Sequence, residues 1–313
     1  MDIVYLKREL TRVIPEILNE EREELRMYNG VYIPTTFTLQ PGEEGVTQFG
    51  QAYSGRAARY TGISTDIPTV NVSINSHDYR TAQWVIGAEW TQFELFSEQV
   101  ARANSLINRT SVVQQKMSAM AEIISESMDK ALTYGDFNFN GFVNTSDVTL
   151  QVETTAPYTL APLPLYNYFR GVVEEFKRSS GLISSQITMV VPPDLYSRLS
   201  SQPLPSEMMA SPFKLLTDST NGQSVSEILE LPALDSAMLE ANGVQAAGTN
   251  RDRFILYHRS PDTLRRETYN FRNTVPAALP DGLHFMCSGY EGSTEVMVRK
   301  PYRMRYYSIA QPA

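Results

Sequence analysis

The side chains that do chemistry in enzymes are thinly spread here. His77, His258 and His284 lie far apart along the chain, and no two have the spacing of metal ligands. Cys287, the one cysteine, stands between Met286 and Ser288 in a run that reads as a strand, where a buried inert thiol is expected. Ser211-Pro212-Phe213-Lys214 has the Ser-x-x-Lys spacing of acyl enzymes, but a proline opposes the middle of the helix that motif needs, and its companion motifs are missing. Nucleophile-elbow, phosphate-loop and dinucleotide-glycine patterns do not occur. The expectation is a chain with no catalytic site and no cofactor.

One pattern follows a metal site more closely. Asp136, Asn138, Asn140, Asn144 and Asp147 fall at positions one, three, five, nine and twelve of a calcium loop, with Gly141 at six. Two features oppose it: position twelve is Asp where a bidentate Glu is usual, and no clear helix follows. The alternative is a turn rich in Asn and Gly. Calcium binding requires that millimolar calcium raise the melting temperature.

Bulk properties narrow the class. The chain has 313 residues, 42% of them apolar and 20% charged, which is a globular composition able to bury a core without a cofactor. One cysteine allows no internal disulfide and fits a reducing compartment. Neither a secretory signal nor an apolar run of membrane-spanning length is expected. With a net charge of −8 and scattered Lys and Arg, tight binding to phosphate backbones is not expected, since that demands clustered positive charge.

The elements follow from periodicity. Ile3, Leu6, Leu10, Val13, Ile14, Ile17 and Leu18 form a helical stripe broken by Pro15, followed by a Glu-rich stretch and an Asn29-Gly30 turn. From Val31 to Asp78, Thr, Val, Gly and Pro dominate; alternation at 69–74 predicts strands, and too few large apolar residues predict a hairpin that must lie on something else. Trp90 to Tyr134 reads as two helices, broken at Asn104-Ser105. The second carries Val113, Met117, Met120, Ile124, Met128 and Ala131 on one face and is closed by Gly135. Beyond it the pattern is mixed: a helix over 165–179 ending at Gly181, a strand at 186–191, a short helix through Leu199, a polar surface loop over 200–226, and strands at 254–258, 283–289 and 295–309.

This order of parts resembles the Hong Kong 97 capsid fold. Ala131-Leu132-Thr133-Tyr134-Gly135-Asp136 with Gly141-Phe142-Val143-Asn144 is similar to the turn closing the spine helix of many tailed-phage major capsid proteins. Pro41-Gly42-Glu43-Glu44, Gly55-Arg56-Ala57-Ala58 and Asp66-Ile67-Pro68 resemble the extended loop of one subfamily. The resemblance spans essentially the whole chain and implies an α+β fold in four parts. These are an N-terminal arm (1–33), an extended β-hairpin loop (34–88), a peripheral domain around the spine helix (89–164 and 291–313), and an axial domain (165–290). It implies a non-enzymatic subunit that builds hexamers and pentamers of an icosahedral head in the virion, assembled in the host bacterial cytoplasm. The implied partners are a portal, scaffolding or decoration proteins, and enclosed DNA bound without sequence preference; no membrane is involved. An encapsulin-type compartment shell enclosing an enzyme is the alternative. Some relatives join their shells through a loop lysine, but no lysine occurs between Lys7 and Lys116, so noncovalent shells are expected. With only a short arm ahead of the loop, separate scaffolding and no trimming are expected too.

Overall fold

The computed structural model describes residues 24–54, 71–103, 111–136, 139–182, 186–201, 211–218, 225–244, 248 and 250–311. The helical stripe expected in the first 18 residues and the Gly55–Pro68 motifs lie outside them. The fold is α+β, in two compact units: 84–126 with 271–291, and 26–83 with 127–270 and 292–313.

The larger unit is built on a five-stranded sheet. Its strands are β4 (Leu150–Val152), β5 (Ile187–Val191), β6 (Glu227–Glu230), β7 (Arg251–His258) and β12 (Met304–Ala310), in the order β4-β12-β7-β5-β6. Alternation along these strands feeds two cores. Phe254, Leu256, Tyr307, Met189 and Val191 face one side, against Leu165, Phe169, Val173 and Phe176 of α3 (Pro162–Ser180) and Leu195 and Leu199 of α4 (Pro193–Ser201). Ile255, Tyr257, Tyr306 and Val190 face the other, against Leu132, Phe142, Met27, Tyr32 and Ile33. Because both faces are covered, 189–191 of β5 and 254–257 of β7 read as continuous apolar runs. Phe254 stacks on Tyr307 at 4.6 Å and meets Phe169 edge-on at 5.5 Å.

Residues 26–33, assigned above to the end of the arm, are held in this unit: the Tyr28 amide donates to Asp129 (2.8 Å), and the Tyr257 hydroxyl donates to the Tyr32 carbonyl (2.8 Å). The unit also contains β1 (Thr35–Thr36), parallel to β8 (Leu264–Asn273), and the ribbon of β2 (Gly45–Ser54) with the first half of β3 (Asn71–Thr91).

The smaller unit has α1 (Gln92–Ala103), most of the long α2 (Val112–Tyr134), and adjacent segments of β8, β10 (His284–Thr294) and β3, with β9 (Ala277–Ala278) on β10. Its core is small: Trp90, Met120 and Cys287, with Val113, Met117 and Leu95 packed around them. The methionine face of α2 is buried as expected, Met120, Ile124 and Met128 being at most 2% exposed.

Three expectations fail for physical reasons. Trp90 and Thr91 close β3 and do not start a helix; α1 begins after Thr91, which forms a capping box with Glu94 (Thr91 N to Glu94 Oε2 2.9 Å, Glu94 N to Thr91 Oγ1 3.2 Å). The 200–226 stretch is not all surface loop: α5 (Pro212–Thr217) buries Pro212 and Leu216, and Val225 is buried behind it. The 295–309 run is broken into β11 (Met297–Val298), a 3-10 turn at Pro301–Arg303, and β12.

Candidate assembly interface

The ribbon of β2 and β3 is in strict register from Gly45↔Arg80 to Ser54↔Asn71. Cross-strand partners point to one side, so Phe49, Val72 and Ile74 share a face, while Gln48, Ser73, Asn75 and His77 share the other. The polar face belongs in water. The apolar face is there as well: Phe49 is 71%, Ile74 64% and Val72 55% exposed. Full burial of each such side chain is worth about 1.5–3 kcal/mol. Two strands alone cannot supply that burial.

The base of the ribbon is fixed firmly. The Tyr79 hydroxyl donates to the Val298 carbonyl at 3.2 Å, and the buried Glu295 carboxylate accepts from the Arg80 amide and the Asn140 amide, each at 2.9 Å. At Gln40-Pro41-Gly42-Glu43 the chain makes the expected turn, the Glu43 amide donating to the Gln40 carbonyl at 3.2 Å. In the smaller unit, α1 presents a second open apolar face, Phe93, Phe96 and Val100, at helical spacing.

The turn after α2 is where the calcium pattern lies. Gly135 has φ +83°, and the chain folds back so that the Phe142 and Val143 amides donate to the Leu132 and Thr133 carbonyls (2.7 and 3.0 Å). Those carbonyls would otherwise be orphans of the helix end. A Cβ on Gly141 would stand 2.2 Å from the Gly135 nitrogen, so the spacing of these two glycines is set by close backbone approach. Thr145 and the Tyr306 hydroxyl lock the rest: Thr145 Oγ1 donates to the Gly141 carbonyl (2.8 Å) and Tyr306 to the Phe142 carbonyl (2.7 Å). Of the five loop candidates, Asn138 lies outside the described residues. Asp136, Asn144 and Asp147 are exposed, and the Asn140 amide is engaged by Glu295. Among the described residues no group of three or more His, Cys, Asp or Glu is placed to hold a metal.

The remaining chemistry-bearing residues sit apart. His77 is on the ribbon's polar face. His258 Nδ1 is 3.1 Å from the Thr263 hydroxyl, but Thr263 is fully buried and out of a substrate's reach. Burial first, then Arg303 and Lys300, lowers the His258 pKa. His284 pairs with Asp281 on an exposed turn, and that hydrogen bond raises the His284 pKa and lowers that of Asp281. Cys287 is buried and free, as expected. Ser211 is the N-cap of α5, accepting from the Lys214 amide at 3.3 Å with Pro212 at the first helical position, which explains the Ser-x-x-Lys spacing without catalysis. Burial pushes the Tyr158, Tyr168 and Tyr257 hydroxyls far up and Tyr307 to about 12, so none is an acid or base near neutrality. Asp252, buried, is satisfied by Tyr158, the Ser236 amide (2.8 Å) and Gln311 (2.7 Å). What the molecule does offer is uncovered apolar surface on rigidly anchored elements.

Comparison with known proteins bears on what covers it. A family model described as "Major capsid protein" matches residues 55–308. No curated protein matches the chain. The fold is similar to the capsid subunit of Myoviridae phage XM1 (TM-score 0.73, 15% identity, covering 96% of this chain and 97% of that one). It is similar to the capsid subunit of a native GTA particle (TM-score 0.65, 8% identity, 99% and 98% covered). The capsid subunit of cyanophage P-SCSP1u is a third (TM-score 0.55, 11% identity, 98% and 95% covered). At these identities the likeness is one of fold.

Proposed function

Because the chain belongs to the major capsid protein family, we propose that it assembles noncovalently into the hexamers and pentamers of an icosahedral head that encloses double-stranded DNA. The chain is a major capsid protein of the tailed-phage type, with the Hong Kong 97 fold and a place in the virion. The family is structural, so the subunit is read as a non-enzyme whose work is done by its surfaces. The encapsulin alternative is not favoured, since the family that matches is a capsid one.

The observation that carries the assembly reading is the ribbon. A strand pair with Phe49, Val72 and Ile74 exposed on one face, anchored at its base by Glu295 and Tyr79, gains stability by lying on another molecule. In this reading 1–33 is the arm, 34–88 the extended loop, 89–164 with 291–313 the peripheral domain and 165–290 the axial domain. Portal, scaffolding and decoration proteins are the remaining partners, and assembly takes place in the host cytoplasm. The absence of lysine from the loop supports shells that dissociate to a single band near 35.3 kDa after boiling in detergent. The loop from Asp136 to Asp147 is read first as a turn rich in Asn and Gly; a rise in melting temperature in millimolar calcium would make it a calcium site instead.

Sedimentation and negative-stain microscopy of concentrated protein, with and without scaffold, test the reading. Closed shells or capsomers are expected, and DNA within native particles separates a phage head from a compartment loaded with enzyme. A subunit that stays monomeric under every condition overturns it.

A further inference from the structure

Residues 295–298 tie two distant parts of the larger unit together. Glu295 follows β10 directly and is 4% exposed. Its main chain and its side chain both reach the base of the ribbon. The Glu295 amide donates to the Arg80 carbonyl, and the Arg80 amide donates to Glu295 Oε1, each at 2.9 Å. Arg80 is the last residue of β3 paired with β2. Glu295 Oε2 accepts from the Asn140 amide at 2.9 Å, and the Val296 amide donates to the Asn140 carbonyl at 3.1 Å. Arg80 and Asn140 thus each give both main-chain groups to residues 295–296. Further on, the Val298 carbonyl accepts from the Tyr79 hydroxyl at 3.2 Å.

This tie needs a carboxylate, because both side-chain oxygens face main-chain N–H groups. A glutamine would turn one acceptor into a donor and leave a buried amide unpaired. The two sides of the tie differ in stiffness. Asn140 precedes Gly141 in the turn held by the Leu132 and Thr133 carbonyls, and Val296 and Val298 lie in the core. On the ribbon, residues 71–78 are exposed, so among the described residues no packing along that stretch sets its direction. Direction is set at the base. The ten residues of β2 span about 30 Å, so a tilt of about 10° at Arg80 carries the tip about 5 Å, more than the roughly 4 Å of a side-chain contact.

We propose that Glu295 is a positioning residue for assembly. It locks the angle of the ribbon to the turn after α2, so that Phe49, Val72 and Ile74 arrive where a neighbouring subunit receives them. The proposal rests on the assembly reading and adds to it the residue that aims the surface.

Hydrogen exchange and assembly of the full-length protein test it together. In the unassembled subunit, Glu295→Gln should speed exchange at the Arg80 and Asn140 amides by about tenfold or more, with β5 and β7 unchanged. The protein concentration needed for capsomers or shells should rise about tenfold. A stability loss spread over the subunit could also raise that threshold, and a double variant separates the two causes. Phe49→Ser disables the face that Glu295 aims. In that background Glu295→Gln should raise the threshold by less than about twofold, whereas independent effects would multiply. Unchanged exchange at the two amides, an unchanged threshold, or multiplying effects overturns the proposal. Should Glu295→Gln not fold, Tyr79→Phe takes its place, since it removes only the hydroxyl bonded to Val298. It should move ribbon-base exchange and the threshold in the same direction, and no movement in either overturns the proposal. A wild type that forms no capsomer or shell sinks the assembly reading, while the exchange data still decide whether Glu295 holds the ribbon.

Discussion

The β2–β3 ribbon and the β5–β7 pair are both regular strand pairs and have opposite fates. In the pair, Met189, Val190, Val191 and residues 254–257 are all fully buried, because α3 and α4 cover one face and the segment 27–33 with the end of α2 covers the other. In the ribbon the apolar residues alternate with polar ones, and residues 71–78 are exposed on both faces. Strand pattern defines which side chains share a face. Whether that face becomes core depends on what is laid over it, and for the ribbon nothing among the described residues is.

The comparison is broken most strongly in the covered region. Phe254→Ala removes a ring stacked between Tyr307 and Phe169 and should cost about 3–5 kcal/mol in denaturant unfolding of the subunit. Gly141→Ala should be of similar rank, since its Cβ would meet backbone at 2.2 Å with no flexible group to yield; failure to purify folded protein is the extreme form of that outcome. Next comes Thr91→Ala, which removes the capping box of α1 and should cost about 1 kcal/mol.

A smaller effect comes from Asp235. Its folded pKa, about 6, lies above the ordinary 3.8, so the stability linked to its protonated form is complete below about pH 4 and lost as pH rises through 6. Asp235→Asn should flatten that slope and stabilise the subunit at pH 7, read from melting temperatures across pH 4–8. Smallest on the subunit is Phe49→Ser, expected within about 0.5 kcal/mol of wild type, since the ring is already in water. The same substitution should sharply reduce shell yield. A large loss of subunit stability instead would mean that the ribbon face is covered within the chain.

Local signals read well from the sequence because they depend on neighbours within a turn or two. The methionine stripe and Gly135 placed α2, Gly181 ended α3 where expected, and the Pro41-Gly42 turn formed as its residues demand. Ser211 shows the limit: read against an enzyme motif it meant nothing, while Ser before Pro is itself a helix-start signal that could have revealed α5. No local signal could reveal that Trp90 stays in a strand, since Met120 and Cys287 give it the reason to.

The sequence by itself determined the elements with strong periodicity and caps, the order of parts that marks the fold, and the absence of a catalytic motif. Tertiary structure alone decided the pairings that join distant residues, such as Thr35 with Arg266 and Leu150 with Tyr306, and the meeting of Arg80 and Asn140 at Glu295. These features arise from parts of the chain far apart in sequence, where no periodicity or cap reaches, and only the folded backbone brings them to one place.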